Sequence, residues 1–272
     1  MIDFPNAKVN LGLHVFGKRK DGYHEILTCF YPVGWRDILE ILPDPSKKTS
    51  ITLTGIEIPG APGENLCLKA YYLIKKDFDL PQIQIHLHKV IPPGGGLGGG
   101  SSDGAFILKM ANRLFNILVD DELLAAYASR LGSDCPFFIY NRPMLATGRG
   151  EVLENINLDL SGKYILIVNP GIKIQTGEAY GLITPAMPEL NLREILENRP
   201  IEEWKILLMN DFEKPVFSRY PALAKIKKDL YDLGAVYASL SGSGSSIYAI
   251  FAEMPVQKVV FPANYQVWGG KL

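Results

Sequence analysis

A run of glycines between a predicted strand and a predicted helix is the segment of this 272-residue chain best suited to bind a ligand. The segment reads Pro92-Pro93-Gly94-Gly95-Gly96-Leu97-Gly98-Gly99-Gly100-Ser101-Ser102. Glycines let the backbone approach a ligand closely, and successive N–H groups followed by a helix N-terminus suit phosphate oxygens. The two serines add hydroxyls for a phosphate or a bound Mg²⁺. The segment predicts a phosphate-binding loop, with a ligand-free hinge as the less favoured alternative.

The spacing within this loop excludes the familiar nucleotide sites. The Gly94–Gly99 stretch formally fits a dinucleotide fingerprint, but Asp120 and Asp121, at the distance of the ribose-binding acid, are predicted to start a helix. A Walker A loop needs lysine after its last glycine, and here Ser101 follows. Protein-kinase catalytic motifs are missing as well. The loop is therefore predicted to bind phosphates by another scheme.

Composition narrows the possible partners and the location. Lys plus Arg total 28 against 29 Asp plus Glu, so no basic excess favours a nucleic-acid partner. Cys29, Cys67 and Cys135 are far apart, which predicts reduced thiols rather than disulfides or a zinc site. There is no signal-peptide pattern and no apolar run near the ~18 residues of a membrane span. We expect a cytoplasmic protein without a membrane partner.

The predicted elements mix strands and helices without strict alternation, which favours an α+β fold over a doubly wound sheet. Period-2 alternation predicts a half-buried strand at 9–15. Further strands are predicted at 26–33, 37–42, 50–54, 83–90, 164–169, 236–240 and 247–251, with a break at 43–45. Helices are predicted at 64–77, 102–116, 121–131, 192–197, 201–209 and 222–233. A boundary near 150–162 divides the chain into an N-terminal domain, 1–155, and a C-terminal domain, 156–272.

Three separated segments together resemble the three motifs of the GHMP kinase superfamily. They are 6–11 (NAKVNL), the glycine loop at 92–102, and 240–245 (LSGSGS), and their order and spacing extend over about 250 of the 272 residues. The resemblance implies a two-domain α+β fold with the active-site cleft between the domains. It also implies ATP as phosphoryl donor, Mg²⁺ carried mainly by the ATP phosphates, and no metal site formed by the protein alone.

Two more segments, 18–25 (KRKDGYHE) and 132–138 (GSDCPFF), narrow the resemblance. They are similar to those of superfamily members that phosphorylate the 2-hydroxyl of a cytidine-diphosphate-linked methylerythritol in the non-mevalonate isoprenoid pathway. The resemblance makes Asp134 the catalytic aspartate, which orients or deprotonates the acceptor hydroxyl. The resemblance makes Lys8 the catalytic lysine, with three alternative roles: to hold Asp134 ionised, to lower the effective pKa of the hydroxyl, or to neutralise the charge that develops on the transferred group. Considered alone, the two residues would be a solvated strand lysine and a turn aspartate.

The resemblance also assigns residues that bind the acceptor. Asn10 would contact its methylerythritol or phosphate groups, and His24 would hydrogen-bond the cytosine. Phe30 and Tyr180 would sandwich the base, because a base needs flat apolar faces and a few edge donors. Arg149 would meet the diphosphate. For Phe30, core packing within an apolar strand is the alternative.

On the ATP side, Asn65, Leu66 and Lys69 match a Glu-Asn-Leu segment expected near the adenine. The loop at 92–102 would bind the phosphates, and residues 241–245 would offer backbone donors at the cleft, with a tight hairpin as the alternative. Gly104 stands where relatives commonly have alanine, and a glycine there slightly weakens the start of the helix predicted at 102–116.

Other readings of the same residues stay open. The chain would phosphorylate another small acceptor such as homoserine, mevalonate or a sugar, or it would be a nucleotide-binding regulator without catalysis. A base-stacking set argues against the first, and retention of both Lys8 and Asp134 argues against the second. His86 and His88 share a strand face without a third ligand, so an exposed face is favoured over a metal pair. Cys135 stands beside Asp134, which suggests inhibition by thiol reagents. A monomer and a weak homodimer are both compatible with the sequence.

Overall fold

The computed structural model describes residues 1–44, 48–255 and 261–272. Its strands are β1 (Ile2–Asp3), β2 (Asn6–Lys18), β3 (His24–Arg36), β4 (Ile38–Pro43), β5 (Ser50–Gly55), β6 (Ile83–Lys89), β7 (Met144–Thr147), β8 (Val152–Asn155), β9 (Tyr164–Asn169), β10 (Tyr237–Leu240), β11 (Ile247–Phe251) and β12 (Gln266–Lys271). Its helices are α1 (Leu66–Lys75), α2 (Gly99–Leu114), α3 (Asp121–Ser129), α4 (Cys135–Tyr140), α5 (Thr176–Gly181), α6 (Leu192–Asn198), α7 (Trp204–Leu207), α8 (Glu213–Arg219) and α9 (Pro221–Asp232). Short 3₁₀ turns lie at Pro62–Glu64 and Ile201–Glu203.

The chain forms two compact units, neither of which is continuous in sequence. The first unit comprises Met1–Ala7, Trp35–Pro93 and Gly98–Arg142, and the second comprises Lys8–Gly34, Gly94–Leu97 and Pro143–Leu272. These units differ from the predicted domains 1–155 and 156–272. The difference arises because the strands at 8–34 and four residues of the glycine loop pack with the C-terminal part of the chain. Pro45, part of the predicted break at 43–45, lies outside the described residues.

The first unit is built on the sheet β1-β4-β6-β5, in which β5 and β6 are parallel and the other pairs are antiparallel. Alternate residues of β4 and β6, such as Leu39 and Leu87, pair in register and are fully buried. The helices α1 and α2 pack together, and Gly104 lies at their contact. A Cβ atom there would lie 3.3 Å from the Leu66 Cβ. Glycine at 104 thus accommodates close helix packing.

The second unit contains two sheets, β2-β3-β7-β8 and β10-β11-β9-β12. The first two residues of β2 and the last two of β3 are counted with the first unit. Helix α9 packs on β10 and β11, and it contributes Leu223, Ile226 and Leu230 to a buried core with Ile247. Sheets and helices are mixed in both units, which confirms the predicted α+β class.

Strand β2 is buried on both faces, so the prediction of a half-buried strand is wrong. Asn10 and His14, expected on a solvated face, are 2% and 7% exposed. Burial of these polar groups is tolerated because they have partners: Asn10 donates to Thr28, and His14 lies 3.4 Å from Asp211. None of the described helices combines the length and apolar character required to cross a bilayer.

Candidate functional site

Parts of the three motif segments, residues 8–11, 94–97 and 240–245, meet within the second unit. The backbone N–H of Lys8 donates to the carbonyl of Leu97 at 2.9 Å, so β2 is bonded to the glycine loop. The Ser241 hydroxyl donates to the Gly96 carbonyl at 2.8 Å, and the Ser246 N–H donates to the Gly95 carbonyl at 3.1 Å. Three segments that are far apart in the sequence therefore form one hydrogen-bonded group.

Gly96 is the closest point of this contact. Its φ is +77°, and a Cβ atom would lie 2.0 Å from the carbonyl oxygen of Ser241. Both observations require glycine at this position. On the other side, the Asn210 side chain donates to the carbonyls of Leu240 and Gly242 at 2.8 and 2.9 Å. The Ser241–Ser245 loop is therefore fixed by side chains as well as by its own backbone.

Lys8 is buried, at 3% exposure, so the alternative of a solvated strand lysine is wrong. Its ammonium donates to Oδ1 of Asn10 at 2.6 Å and lies 4.8 Å from the centre of the Phe30 ring. Phe30 itself is 1% exposed. The structure thus brings together three predicted site residues, with Phe30 against the lysine.

The His24 and Tyr180 rings are stacked, with centroids 4.9 Å apart and planes at 22°. Tyr180 also contacts Phe212 edge to face at 4.9 Å. Both His24 and Tyr180 are half-buried. Two residues predicted to recognise one base therefore lie side by side in the second unit.

Arg149 lies beside the same segment. Its guanidinium is 4.8 Å from the centre of the Tyr23 ring, and its Nε is 3.4 Å from a Glu151 carboxylate oxygen. Tyr23 is 54% exposed, and it was not among the predicted site residues. The signal that would have found it is its place between Gly22 and His24 in the matched segment, where an exposed aromatic ring suits a planar ligand.

In the first unit, α2 begins inside the glycine loop, at Gly99 rather than at the predicted residue 102. Gly98 precedes it in a left-handed conformation, with φ of +69°. The first N–H groups of a helix have no partner within the helix, so this end presents donors for an anion. Ser102 lies in the first turn and is fully buried, and its hydroxyl has no hydrogen-bond partner among the described residues.

A buried charge cluster lies directly against this helix start. The Lys89 ammonium is 2.5 Å from an Asp37 oxygen and 2.7 Å from an Asp103 oxygen, and all three residues are at most 3% exposed. A Cβ atom on Gly99 would lie 2.9 Å from the Lys89 Nζ, so glycine makes room for the lysine. Burial and the neighbouring Asp37 carboxylate together raise the pKa of Asp103 to about 7, against the opposing effect of the Lys89 charge.

Two of the three predicted adenine-site residues share a groove of the first unit. Leu66 and Lys69 line an open groove of about 430 Å³. Its other lining residues are Gly63, Tyr72, Leu73, Lys76, Arg130 and Leu131. Asn65 caps α1 instead, where its side chain accepts from the N–H of Cys67 at 2.8 Å. The groove combines apolar side chains with cations, as a nucleotide requires.

Asp134 is half-buried at the N-cap position of α4, a helix that is not among those predicted from the sequence. The neighbouring Cys135 is fully buried, and burial raises the pKa of its thiol to about 12. A thiol that is both inaccessible and protonated does not react with alkylating reagents. The structure therefore argues against the expectation that thiol reagents inhibit through Cys135.

The described residues contain no group of three or more His, Cys, Asp or Glu side chains that would hold a metal ion. His86 and His88 instead contact one hydroxyl, that of Thr54, at 2.9 and 3.0 Å. These two histidines therefore belong to a polar sheet face, as the sequence favoured.

Comparison with known proteins identifies the family. Residues 65–142 match the family model "GHMP kinases N terminal domain", and residues 192–264 match "GHMP kinases C terminal". The 4-diphosphocytidyl-2-C-methyl-D-erythritol kinase of Bacteroides thetaiotaomicron is 51% identical over 253 residues, which cover 92% of each chain.

Solved structures agree. A crystal structure of 4-(cytidine 5'-diphospho)-2C-methyl-D-erythritol kinase superposes with a TM-score of 0.78 at 33% identity, over 92% of this chain and 90% of the other. A homoserine kinase from Cytophaga hutchinsonii has a TM-score of 0.70 at 18% identity, over 98% and 95%, and this likeness shows the fold alone. The chain belongs to the GHMP kinase family.

Proposed function

We propose that this chain transfers the γ-phosphoryl group of ATP to the 2-hydroxyl of 4-diphosphocytidyl-2-C-methyl-D-erythritol, a step of the non-mevalonate route to isoprenoids. The convergence of Lys8, the glycine loop and the Ser241–Ser245 loop in one hydrogen-bonded group carries the phosphotransfer part of the proposal. The acceptor follows from the relatives, which are named for this substrate and match nearly the whole chain.

In the proposed reaction, the oxygen of the acceptor hydroxyl bonds to the γ-phosphorus while Asp134 accepts the proton of that hydroxyl. The bond between that phosphorus and the bridging oxygen of ADP breaks, and ADP leaves with the electron pair. Lys8 supplies a positive charge where negative charge develops on the transferred group. Its burial supports this role, because a charge excluded from water interacts more strongly than a solvated one.

The helix start at Gly99–Ser102 is proposed to bind the ATP phosphates through its N–H groups. Mg²⁺ fits this end because the phosphates supply much of its coordination, and the unpartnered Ser102 hydroxyl is a hard oxygen donor of the kind that Mg²⁺ prefers. When bound, Mg²⁺ neutralises phosphate charge. Leu66 and Lys69 in their groove, together with Asn65, are proposed to lie near the adenine.

His24 and Tyr180 are proposed to recognise the cytosine, one by an edge hydrogen bond and the other by its ring face. Their stacked contact supports one shared binding place. Arg149, on the Tyr23 ring, is proposed to meet the diphosphate, and Asn10 the methylerythritol or phosphate groups. Phe30 is proposed as the second ring against the base.

The test is ADP release by the purified chain with ATP and Mg²⁺ across a panel of acceptors. The panel holds the cytidylated acceptor, its uncytidylated phosphate precursor, homoserine, mevalonate and galactose. We expect turnover with the cytidylated acceptor alone. Turnover with homoserine or mevalonate instead would overturn the acceptor while leaving phosphotransfer in place.

The base site has its own test in a His24→Ala variant, which should raise the KM of the cytidylated acceptor far more than that of ATP. Equal changes in both constants would contradict the cytosine assignment.

A further inference from the structure

Behind Lys8, a chain of three buried hydrogen bonds ends on the backbone of β2. The Lys8 ammonium donates to Oδ1 of Asn10 at 2.6 Å, and Nδ2 of Asn10 donates to the Thr28 hydroxyl at 3.1 Å. The Thr28 hydroxyl then donates to the Gly12 carbonyl. Asn10 is 2% exposed and Thr28 is fully buried, so solvent does not compete for these groups.

The chemistry of the four groups permits only one direction along this chain. An ammonium has donors and no acceptor, so the Asn10 atom facing it must be the oxygen. The Asn10 amide nitrogen then faces Thr28, so the Thr28 oxygen must accept a hydrogen bond from it. The single O–H of Thr28 must then donate to the Gly12 carbonyl. Thr28 therefore decides which way the Asn10 amide faces, and the amide in turn decides where the lysine finds its oxygen.

Gly12 fixes the end of the chain. Its φ is +66°, and a Cβ atom would lie 2.7 Å from Cδ1 of Leu208 and 2.9 Å from Cδ1 of Leu192. A side chain at this position would be strained by the positive φ and would displace both leucines. The Gly12 carbonyl, which accepts the hydrogen bond from Thr28, is therefore positioned by packing as well as by its strand.

We propose that Thr28 is a positioning residue for the phosphoryl transfer: through the amide of Asn10 it sets the position of the Lys8 ammonium. The inference rests on the proposed function, because it concerns the lysine placed at the transferred group. Thr28 does not touch the reacting atoms in this account. Its loss should lower the rate of transfer and leave ATP binding as it is.

The first experiment compares Thr28→Val, which removes the hydroxyl, with Thr28→Ser, which keeps it. We expect Thr28→Val to lower kcat about tenfold or more, as a lost buried hydrogen bond at a catalytic group would. We expect Thr28→Ser to stay within about threefold of the parent and the KM for ATP to change little in both.

Thr49→Val is the matched structural control. Thr49 is 8% exposed, its hydroxyl donates to Gln82 at 2.6 Å in the first unit, and it is not among the residues assigned to the proposed site. It should lower the melting temperature as Thr28→Val does and leave kcat unchanged. A normal kcat for Thr28→Val, or equal losses for the valine and serine variants, would overturn the inference.

A double-mutant cycle tests the route through Asn10. If Thr28 acts through that amide, Thr28→Val should cost less than about a further twofold in kcat on an Asn10→Ala background. Fully multiplicative losses would overturn the proposal, because they would show that the two residues act separately.

The ammonium of Lys8 can also be followed without any acceptor, by NMR of lysine labelled at Cε and Nζ, with the resonance assigned from Lys8→Met. We expect Thr28→Val to shift it and Thr49→Val to leave it unmoved. An unchanged resonance in Thr28→Val would contradict the inference. If the parent protein phosphorylates no member of the acceptor panel, the proposed function fails, and this comparison still decides the role of Thr28.

Discussion

Two buried lysines, one in each unit, are held in contrasting ways. Lys89 in the first unit is 3% exposed and lies within 2.7 Å of two carboxylates, those of Asp37 and Asp103. Lys8 in the second unit is equally buried, and its contacts within that unit include the Asn10 amide oxygen and the Phe30 ring. The partners of Lys89 carry charge, whereas these two partners of Lys8 are neutral.

The contrast is between carboxylates, which compensate the charge of one lysine, and neutral groups, which help to orient the ammonium of the other. Two carboxylates compensate the Lys89 charge, and Asp37 also accepts from the N–H groups of Val90 and Ile91, so the cluster joins β6, α2 and the segment before β4. An amide oxygen and a ring face attract an ammonium and direct it without cancelling its charge. We infer that Lys89 holds the helix start that is proposed to meet phosphate, whereas Asn10 and Phe30 orient the ammonium that is proposed to act on the transferred group.

The largest expected effect on stability comes from Lys89→Met. It leaves two carboxylates buried without their cation, which should lower the free energy of unfolding by about 3–5 kcal/mol in urea titrations. Lys109→Met is the control, on the helix that carries Asp103, because that ammonium donates to the Phe138 and Ile139 carbonyls and lies over the Phe106 ring. Its loss should cost about 1 kcal/mol. Equal losses in the two variants would show that the cluster has no special structural role.

Lys8→Met should give the complementary result. We expect kcat to fall about 10²–10³-fold, as for loss of one group that stabilises transition-state charge. The melting temperature should fall much less than in Lys89→Met. A variant that keeps more than a tenth of the parental kcat would remove Lys8 from the reaction.

The pH dependence of stability should report the Asp103 proton. Its folded pKa, about 7, lies above the unfolded value of 3.8, so the folded state binds the proton more tightly. This contribution to stability is complete below the unfolded pKa and is lost as the pH rises through about 7. Between the unfolded pKa of 3.8 and the folded pKa of about 7, the parent should lose about 1.4 kcal/mol of unfolding free energy per pH unit relative to Asp103→Asn. Parallel stability profiles for the two proteins would contradict the assignment.

The smallest expected effect belongs to Phe30→Leu. Removing the ring beside the ammonium should lower kcat about twofold to thirtyfold, because a cation–π contact contributes about 0.5–2 kcal/mol. The same variant separates two roles of Phe30, because loss of a face against the cytosine would raise the acceptor KM instead. Steady-state kinetics with the cytidylated acceptor distinguishes a fall in kcat from a rise in KM, and no change in either would exclude both roles.

Local signals predicted many of the elements, because their causes lie within a few residues. Asp120 was predicted to cap α3, and its side chain accepts from the Leu123 N–H at 2.8 Å. The strand predicted at 164–169 is β9 without change. The start of α2 could not be predicted this way. Glycine disfavours helix, and Gly99 is helical because the Lys89 ammonium and Ile91 pack against it.

The features that the sequence did not predict depend on contacts between residues far apart in the chain. Lys89 and Asp37 are 52 residues apart, and neither lies in a recognised motif. Thr28 was likewise predicted only as part of a strand, and its partner Asn10 lies on another strand of the same sheet. Short edge strands such as β1 and β8 pair with distant or weakly patterned segments, so period-2 alternation did not find them.

The most direct test follows the phosphoryl group itself. The parent protein, Lys8→Met and Lys89→Met would each be mixed with ATP, Mg²⁺ and 4-diphosphocytidyl-2-C-methyl-D-erythritol, and the products followed by ³¹P NMR under conditions where each variant is folded. We expect a new phosphomonoester on the acceptor with the parent and with folded Lys89→Met, and almost none with Lys8→Met. Absence of that product with the parent, or its formation at the parental rate by Lys8→Met, would contradict the account.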